Sequence, residues 1–217
     1  MASDTGNTRI VIDKNSAAIR HLCGADEPLR RLIHCIGDIA YALDEDSFAF
    51  MIDTIIGQML SNKVADVMSK RLLDICGGSI SPSNLEKLSE GDLRGIGLSF
   101  KKAEYMLGLA RHIRDCPDFF ADLSQKSDED VLNELTKLRG VGSWSAKMYL
   151  IFVLGRPDVL PHEDGAFQQA FAWLYPAAEL SKKGIIEQCA RWRPYSSIAS
   201  RYLYMALDSG LTKRKTD

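Results

Sequence analysis

The sequence predicts an all-α fold. Apolar residues recur at three- and four-residue steps through nearly every segment, the breaks between segments are short, and no set of alternating apolar–polar runs offers strands for a sheet. Residues 46–60 are the clearest case, with Phe48, Met51, Ile52, Ile55, Ile56 and Met59 on one helical face. The same period runs through 28–43, 63–76, 100–113, 144–154, 164–174 and 184–192. Ser81-Pro82, with Ser83 and Asn84 after it, marks a loop and a new helix start. Val159 and Leu160, beside Pro157 and Pro161, read as a short extended link. The opening stretch MASDTGNTRIVIDK sets acidic residues on both sides of a very short apolar patch, which reads as a frayed end and not as a secretory signal.

Composition narrows the function classes. With 217 residues, 46% hydrophobic and 26% charged, the chain can form one substantial core or two small lobes. No stretch approaches the ~20 apolar residues of a membrane span, so no membrane partner and an intracellular location are expected. Five cysteines at 23, 35, 76, 116 and 189 are odd in number and widely spaced, which argues against a zinc site, a disulfide framework or an iron–sulfur cluster. A reducing compartment follows. The net charge of −2 is uneven: residues 139–217 carry 11 Lys/Arg against 7 Asp/Glu, leaving −6 on the first 138. A basic half can face phosphates while the rest stays acidic. Lys213-Arg214-Lys215 is too short to read as a nuclear address.

An internal echo comes next. Residues 93–97 read LRGIG and 138–142 read LRGVG, 45 residues apart, each followed by a helix with a lysine at the same offset, Lys102 and Lys147. Two copies are too few for a solenoid; they read as two similar helical corners. Gly140 and Gly142 around Val141 allow a tight turn and a close approach, with Val141 as the plug. The amides from Gly142 onward would then sit at a helix N-terminus, which suits a phosphate. A plain corner with a glycine stop is the other reading. The first copy fits that one: Ser99 can cap the next helix, and nothing beyond it looks chemical.

The second copy has a sequel. Pro161-His162-Glu163-Asp164 follows, ending 24 residues after Gly140, ahead of another amphipathic helix. The run LRGVGSWSAKMYLIFVLGRPDVLPHED resembles the signature of the helix-hairpin-helix DNA glycosylase superfamily: the hairpin, a Trp two residues on, Gly-Arg-Pro-Asp, then Pro-x-x-Asp. Upstream, Ile55-Ile56-Gly57-Gln58-Met59-Leu60-Ser61 and Gly97-Leu98-Ser99-Phe100-Lys101-Lys102-Ala103 resemble two further segments of that family, in the right order, over roughly 48–175. The chain is most similar to the 3-methyladenine DNA glycosylase II branch. This implies a two-lobed helical fold with a cleft, one lobe from 48 to 155 and the other from 1–47 plus 156–217. It implies, further, a monomeric, monofunctional glycosylase of base excision repair that hydrolyses the N-glycosidic bond of alkylated purines in double-stranded DNA and leaves an abasic site.

The resemblance assigns roles residue by residue. Asp164 matches the catalytic aspartate; its other reading is helix N-cap, and the two can coexist. A fixed carboxylate stabilises the oxocarbenium-like sugar and can orient or deprotonate the attacking water. Glu163 should point elsewhere, and His162 reads as a surface or supporting residue. Trp144 occupies the place of the Schiff-base lysine of bifunctional members, and Lys147 comes three positions too late, so water is the expected nucleophile. Trp144, Phe48 and Tyr149 are candidates for the base pocket, with core packing as the alternative for Trp144. Gln58, Met59, Leu60 and Ser61 match the segment that wedges into the base stack; Gln58 caps its helix or probes the minor groove. Gly140, Val141, Gly142, Ser143 and Lys147 are candidates for DNA contact. The family further implies a Na+ or K+ ion on the carbonyls of Leu138 and Val141, with no other cofactor and no iron–sulfur motif. Two rival readings stay open: a glycosylase for deaminated or oxidised bases, and a non-catalytic helix-hairpin-helix module. Pro-x-x-Asp after only one of the two corners favours an enzyme.

Overall fold

The computed structural model describes residues 9–213. Among these the chain is helical apart from one pair of short strands, β1 (Arg9–Ile12) and β2 (Ile39–Ala42), antiparallel with Ile10 opposite Tyr41 and Val11 opposite Ala40. This strand pair corrects two expectations, the frayed start and a helix running through 28–43. Residues 1–8 of that start, like Arg214 and Lys215 of the basic tail, lie outside the described residues. Between the strands, α1 (Ala17–Ala25) leads into α2 (Glu27–Ile36). Gly37, at φ 82°, ends α2 and frees the next residues for pairing.

The chain divides into two compact units: Asp44–Leu154 is one, and residues up to Leu43 together with those from Gly155 form the other. The internal unit starts with α3 (Ser47–Gly57), capped by the Asp46 carboxylate on Ala49 N–H, then α4 (Asn62–Ile75). Short helices α5 (Pro82–Leu85) and α6 (Glu90–Gly95) lead to α7 (Phe100–Asp115). Then come α8 (Phe119–Ser124), α9 (Asp128–Thr136) and α10 (Ser143–Phe152). Its interior holds the apolar stripe foreseen for 46–60 (Phe48, Met51, Ile52, Ile55, Ile56), but α3 stops at Gly57, so Met59 leaves the stripe and is fully exposed.

The discontinuous unit resumes with α11 (Gly165–Leu174), α12 (Lys182–Cys189) and α13 (Ser196–Asp208). Every residue of α13 from Ser196 to Leu203 is buried. Its apolar Ile198, Ala199, Tyr202, Leu203 and Ala206 do recur at helical steps, but the buried polar residues Ser196, Ser197, Ser200 and Arg201 among them mask the stripe. Asp26 is 1% exposed and saturated: it caps α2 through Leu29 N–H and accepts from Tyr175 Oη (2.9 Å) and Trp192 Nε1 (3.0 Å). A carboxylate so placed ties the start of α2 to the C-terminal helices without leaving a buried charge unpaired. The extended link foreseen at 157–161 is stapled to the start of α13. Asp158 accepts from Ser196 Oγ (2.6 Å) and Arg193 Nε (2.8 Å), and Ser197 bonds Pro157 O and both backbone groups of Val159. That staple fixes where Pro161–Asp164 begins.

Candidate active site and nucleic-acid interface

Asp164 closes a turn on Pro161, its N–H donating to Pro161 O (2.9 Å), and caps α11 by accepting from Phe167 N–H through Oδ1 (2.7 Å). The cap role is therefore real, and it locks the rotamer of the carboxylate at the positive end of a helix. Tyr204 of α13 is its electrostatic neighbour, and Arg201 in turn neighbours Tyr204. Burial, and after it the Asp164 carboxylate, push the Tyr204 phenol far above the ordinary tyrosine range, with Arg201 acting the other way. Arg201 is itself buried and lies over the Tyr41 ring, 3.5 Å from its centroid. His162 is 8% exposed, which removes the surface option; its carbonyl accepts from Gln168 Nε2 (2.8 Å) and its Nε2 lies 3.5 Å from Glu163 Oε1.

In the internal unit, the LRGVG turn rests on α7. Gly140 has φ 85°, and a Cβ there would stand 2.2 Å from Tyr105 Cδ2, so only glycine fits. Val141 is buried, as foreseen for a plug, and Leu138 O accepts from Val141 N–H (3.1 Å). Arg139 reaches back to Glu104 (2.6 Å). Gly142 corrects an expectation: at φ −98° with open space around it, it is the N-cap of α10 and not a steric requirement of the turn. Gly142 and Ser143 are exposed there, and Lys147, farther along α10, is half-buried.

The echo also changes register. In the first copy Gly95 is still helical, and the positive-φ residue is Gly97 (φ 106°), two residues before the cap Ser99. Structurally, Gly97-Leu98-Ser99 corresponds to Gly140-Val141-Gly142: a left-handed glycine, a buried apolar plug (Leu98 4%, Val141 5% exposed), then the N-cap. The third helical residue after each cap is then Lys102 in α7 and Ser145 in α10. The first corner has a sequel after all. Lys102 Nζ donates to Ile56 O (2.6 Å) and Gln58 O (2.8 Å) at the end of α3.

Gln58 ends α3, and its side chain turns back into the unit, donating to Gly140 O (2.7 Å) and Ser145 Oγ (3.4 Å). Met59 is the one non-glycine residue at positive φ (59°) among those described, and it is fully exposed. Leu60 is half-buried, and Ser61 is the exposed N-cap of α4. Of the residues proposed for the base pocket, Phe48 packs in the core at 5% exposure and Trp144 is half-buried. Tyr149 is fully buried, its hydroxyl 3.0 Å from Ser47 Oγ, its ring stacked on Phe120 (centroids 5.7 Å) and edge-on to Phe50 (6.3 Å). Phe50 and Phe120 were not singled out from sequence; their only signal is aromatic character at half-buried positions.

The HhH-GPD model, described as superfamily base excision DNA repair protein, matches residues 52–194. The chain belongs to this superfamily. Among relatives, DNA-3-methyladenine glycosylase 1 of Schizosaccharomyces pombe is 24% identical over 214 residues, covering 94% of this chain and 92% of that protein. YfjP of Bacillus subtilis is 29% identical over 174 residues, covering 76% of this chain; the match spans 61% of YfjP. In structure, a DNA-3-methyladenine glycosidase from Bacillus halodurans superposes with a TM-score of 0.81 at 28% identity, covering 95% of this chain and 96% of that one. The HhH-GPD match includes Gln58, both corners, the Gly155–Asp158 link, Asp164 and α11. It ends at residue 194, ahead of α13, which supplies Arg201 and Tyr204.

The left-handed backbone at Met59 can be tested by its effect on stability. A left-handed methionine costs roughly 1–2 kcal/mol, and glycine at the same position costs roughly 0.5–1 kcal/mol of extra chain entropy. Met59→Gly is accordingly expected to melt at or slightly above the wild-type temperature. A lower Tm would show that the side chain packs.

Proposed function

We propose that this HhH-GPD chain is a monofunctional DNA glycosylase that hydrolyses the N-glycosidic bond of alkylated purines, of the 3-methyladenine and 7-methylguanine type, in duplex DNA. One observation carries the reading: a carboxylate, Asp164, locked at the N-terminus of α11 within the stretch matched by a base-excision-repair family. The names of the relatives support the substrate class.

As the bond to the base breaks, positive charge builds on the sugar, and a carboxylate already fixed in place stabilises it without reorganising. The same group orients water for attack on the anomeric carbon and accepts its proton. An alkylated purine carries its own positive charge, so it leaves as a neutral base. That cation also suits an aromatic face such as that of the half-buried Trp144, whereas Tyr149, foreseen for the pocket, is wholly buried with its ring against Phe120. Extruding the nucleotide leaves a gap in the stack, for which Met59 is the exposed candidate. The exposed start of α10 at Gly142 and Ser143 is the candidate phosphate site. A Na+ or K+ ion fits the hairpin's donor chemistry. Leu138 O, although it accepts from Val141 N–H, keeps a lone pair, and Gly140 O is turned onto Gln58. With Val141 O, Leu138 O would hold the ion, whose charge would favour the same phosphate.

The test is base release from duplexes bearing a panel of alkylated, deaminated and oxidised bases, with strand nicking scored separately. Release of 3-methyladenine and 7-methylguanine is the expected result. Preference for a deaminated or oxidised base would move the specificity, and binding without any release would return the chain to a non-catalytic module. Since Trp144 stands at the lysine position, product DNA should stay unnicked until heated in alkali, and borohydride should trap no adduct. An adduct lost on mutating Lys147 would overturn this assignment.

A further inference from the structure

The two corners converge on one residue. Lys102 and Ser145 are the third helical residues after equivalent turns, and both meet Gln58. Lys102 takes the main-chain carbonyls of Ile56 and Gln58, while Gly140 O and Ser145 Oγ take the Gln58 side-chain amide. The last carbonyls of a helix lack N–H donors within it, and an ammonium there satisfies them and complements the negative end of the dipole. Burial draws the Lys102 pKa below the ordinary lysine value, so this cation is kept in a partly desolvated place that its two carbonyl bonds must offset. Immediately after this doubly held residue, the chain enters the left-handed conformation at Met59 and projects that side chain fully into solvent.

We infer that Lys102 is a positioning residue for base extrusion: bonded to the end of α3, and acting together with the Gln58 clasp on Gly140, it holds Met59 in the conformation in which it can enter the base stack. The inference rests on the glycosylase reading above. It also gives Gln58 a task other than insertion, because its amide is committed to the hairpin. The hairpin that binds phosphate and the loop that carries the wedge are thereby joined by one hydrogen bond, so that the first sets the place of the second.

The experiment compares wild type, Lys102→Met, Lys102→Arg, Met59→Ala and the Lys102→Met/Met59→Ala double variant in single-turnover release of 7-methylguanine. Two duplexes are used, one pairing the lesion with cytosine and one placing it opposite an abasic-site analogue, where extrusion costs less. Lys102→Met is expected to slow release from the paired duplex by roughly 10- to 100-fold, as a misplaced side chain does. The defect should shrink opposite the abasic site. Adding Met59→Ala should cost little more, because both changes remove the same action. Lys102→Arg, which keeps a cation on the two carbonyls, should recover part of the rate, and it also serves if Lys102→Met fails to fold. Equal slowing on both duplexes, full additivity with Met59→Ala, or a wild-type rate in Lys102→Met would each overturn the inference while wild-type release upholds the glycosylase reading. A wild-type chain that releases no base from any duplex overturns both.

Discussion

Asp164→Asn is expected to release base on the order of 10²–10³-fold more slowly than wild type, with almost no change in Tm. The two readouts separate because Asp164 does two things. Its Oδ1 caps α11 on Phe167 N–H at 2.7 Å, and asparagine presents an equivalent acceptor to that amide. What asparagine lacks is the negative charge that faces a developing oxocarbenium ion, and the basicity to take a proton from water. Binding to a duplex with an abasic analogue should survive, since phosphate contacts do not depend on this carboxylate. Single-turnover release, thermal melting and a binding titration together decide the matter. A wild-type rate in Asp164→Asn would leave the residue as a helix cap and nothing more.

Gly140→Ala is expected to be the most damaging single methyl group in the internal unit. The added Cβ would lie 2.2 and 2.3 Å from two atoms of the Tyr105 ring, at a backbone φ of 85° that L side chains rarely adopt. Overpacking and left-handed strain together cost about 3 kcal/mol or more, and the displaced turn would also disturb the Gly140 carbonyl that holds Gln58. Gly142→Ala meets nothing within 4 Å at φ −98°, and should cost only about 1 kcal/mol as a poorer N-cap. Tyr105→Ala combined with Gly140→Ala should recover only part of the loss, because Tyr105 Cβ still lies 2.8 Å away and φ is unchanged. Thermal or urea melts of the three variants check this. Equal losses for Gly140→Ala and Gly142→Ala would show that the turn yields more easily than its geometry implies.

What the sequence determined by itself is what is local or periodic. The apolar stripe of 46–60 made α3 legible, the Ser-Pro step marked α5, and the spacing from Gly140 to Asp164 picked out a carboxylate that the structure places at the start of α11. The two LRGhG strings announced two corners. Tertiary structure alone decided the rest. The strings align Gly95 with Gly140, yet the turns align Gly97 with Gly140, because the place where a helix ends depends on backbone dihedrals and caps and not on matching letters. β1 and β2 are four residues each and pair across some thirty positions, too short for an alternating pattern to register. α13 escaped because Ser196, Ser197, Ser200 and Arg201, polar by type, are buried beside its apolar residues, and only the tertiary packing shows that they face inward. The Lys102–Gln58–Gly140 connection joins residues 44 and 82 positions apart. Hydrogen bonds across such distances follow from how packed helices bring their ends together, and no spacing rule along the chain encodes that.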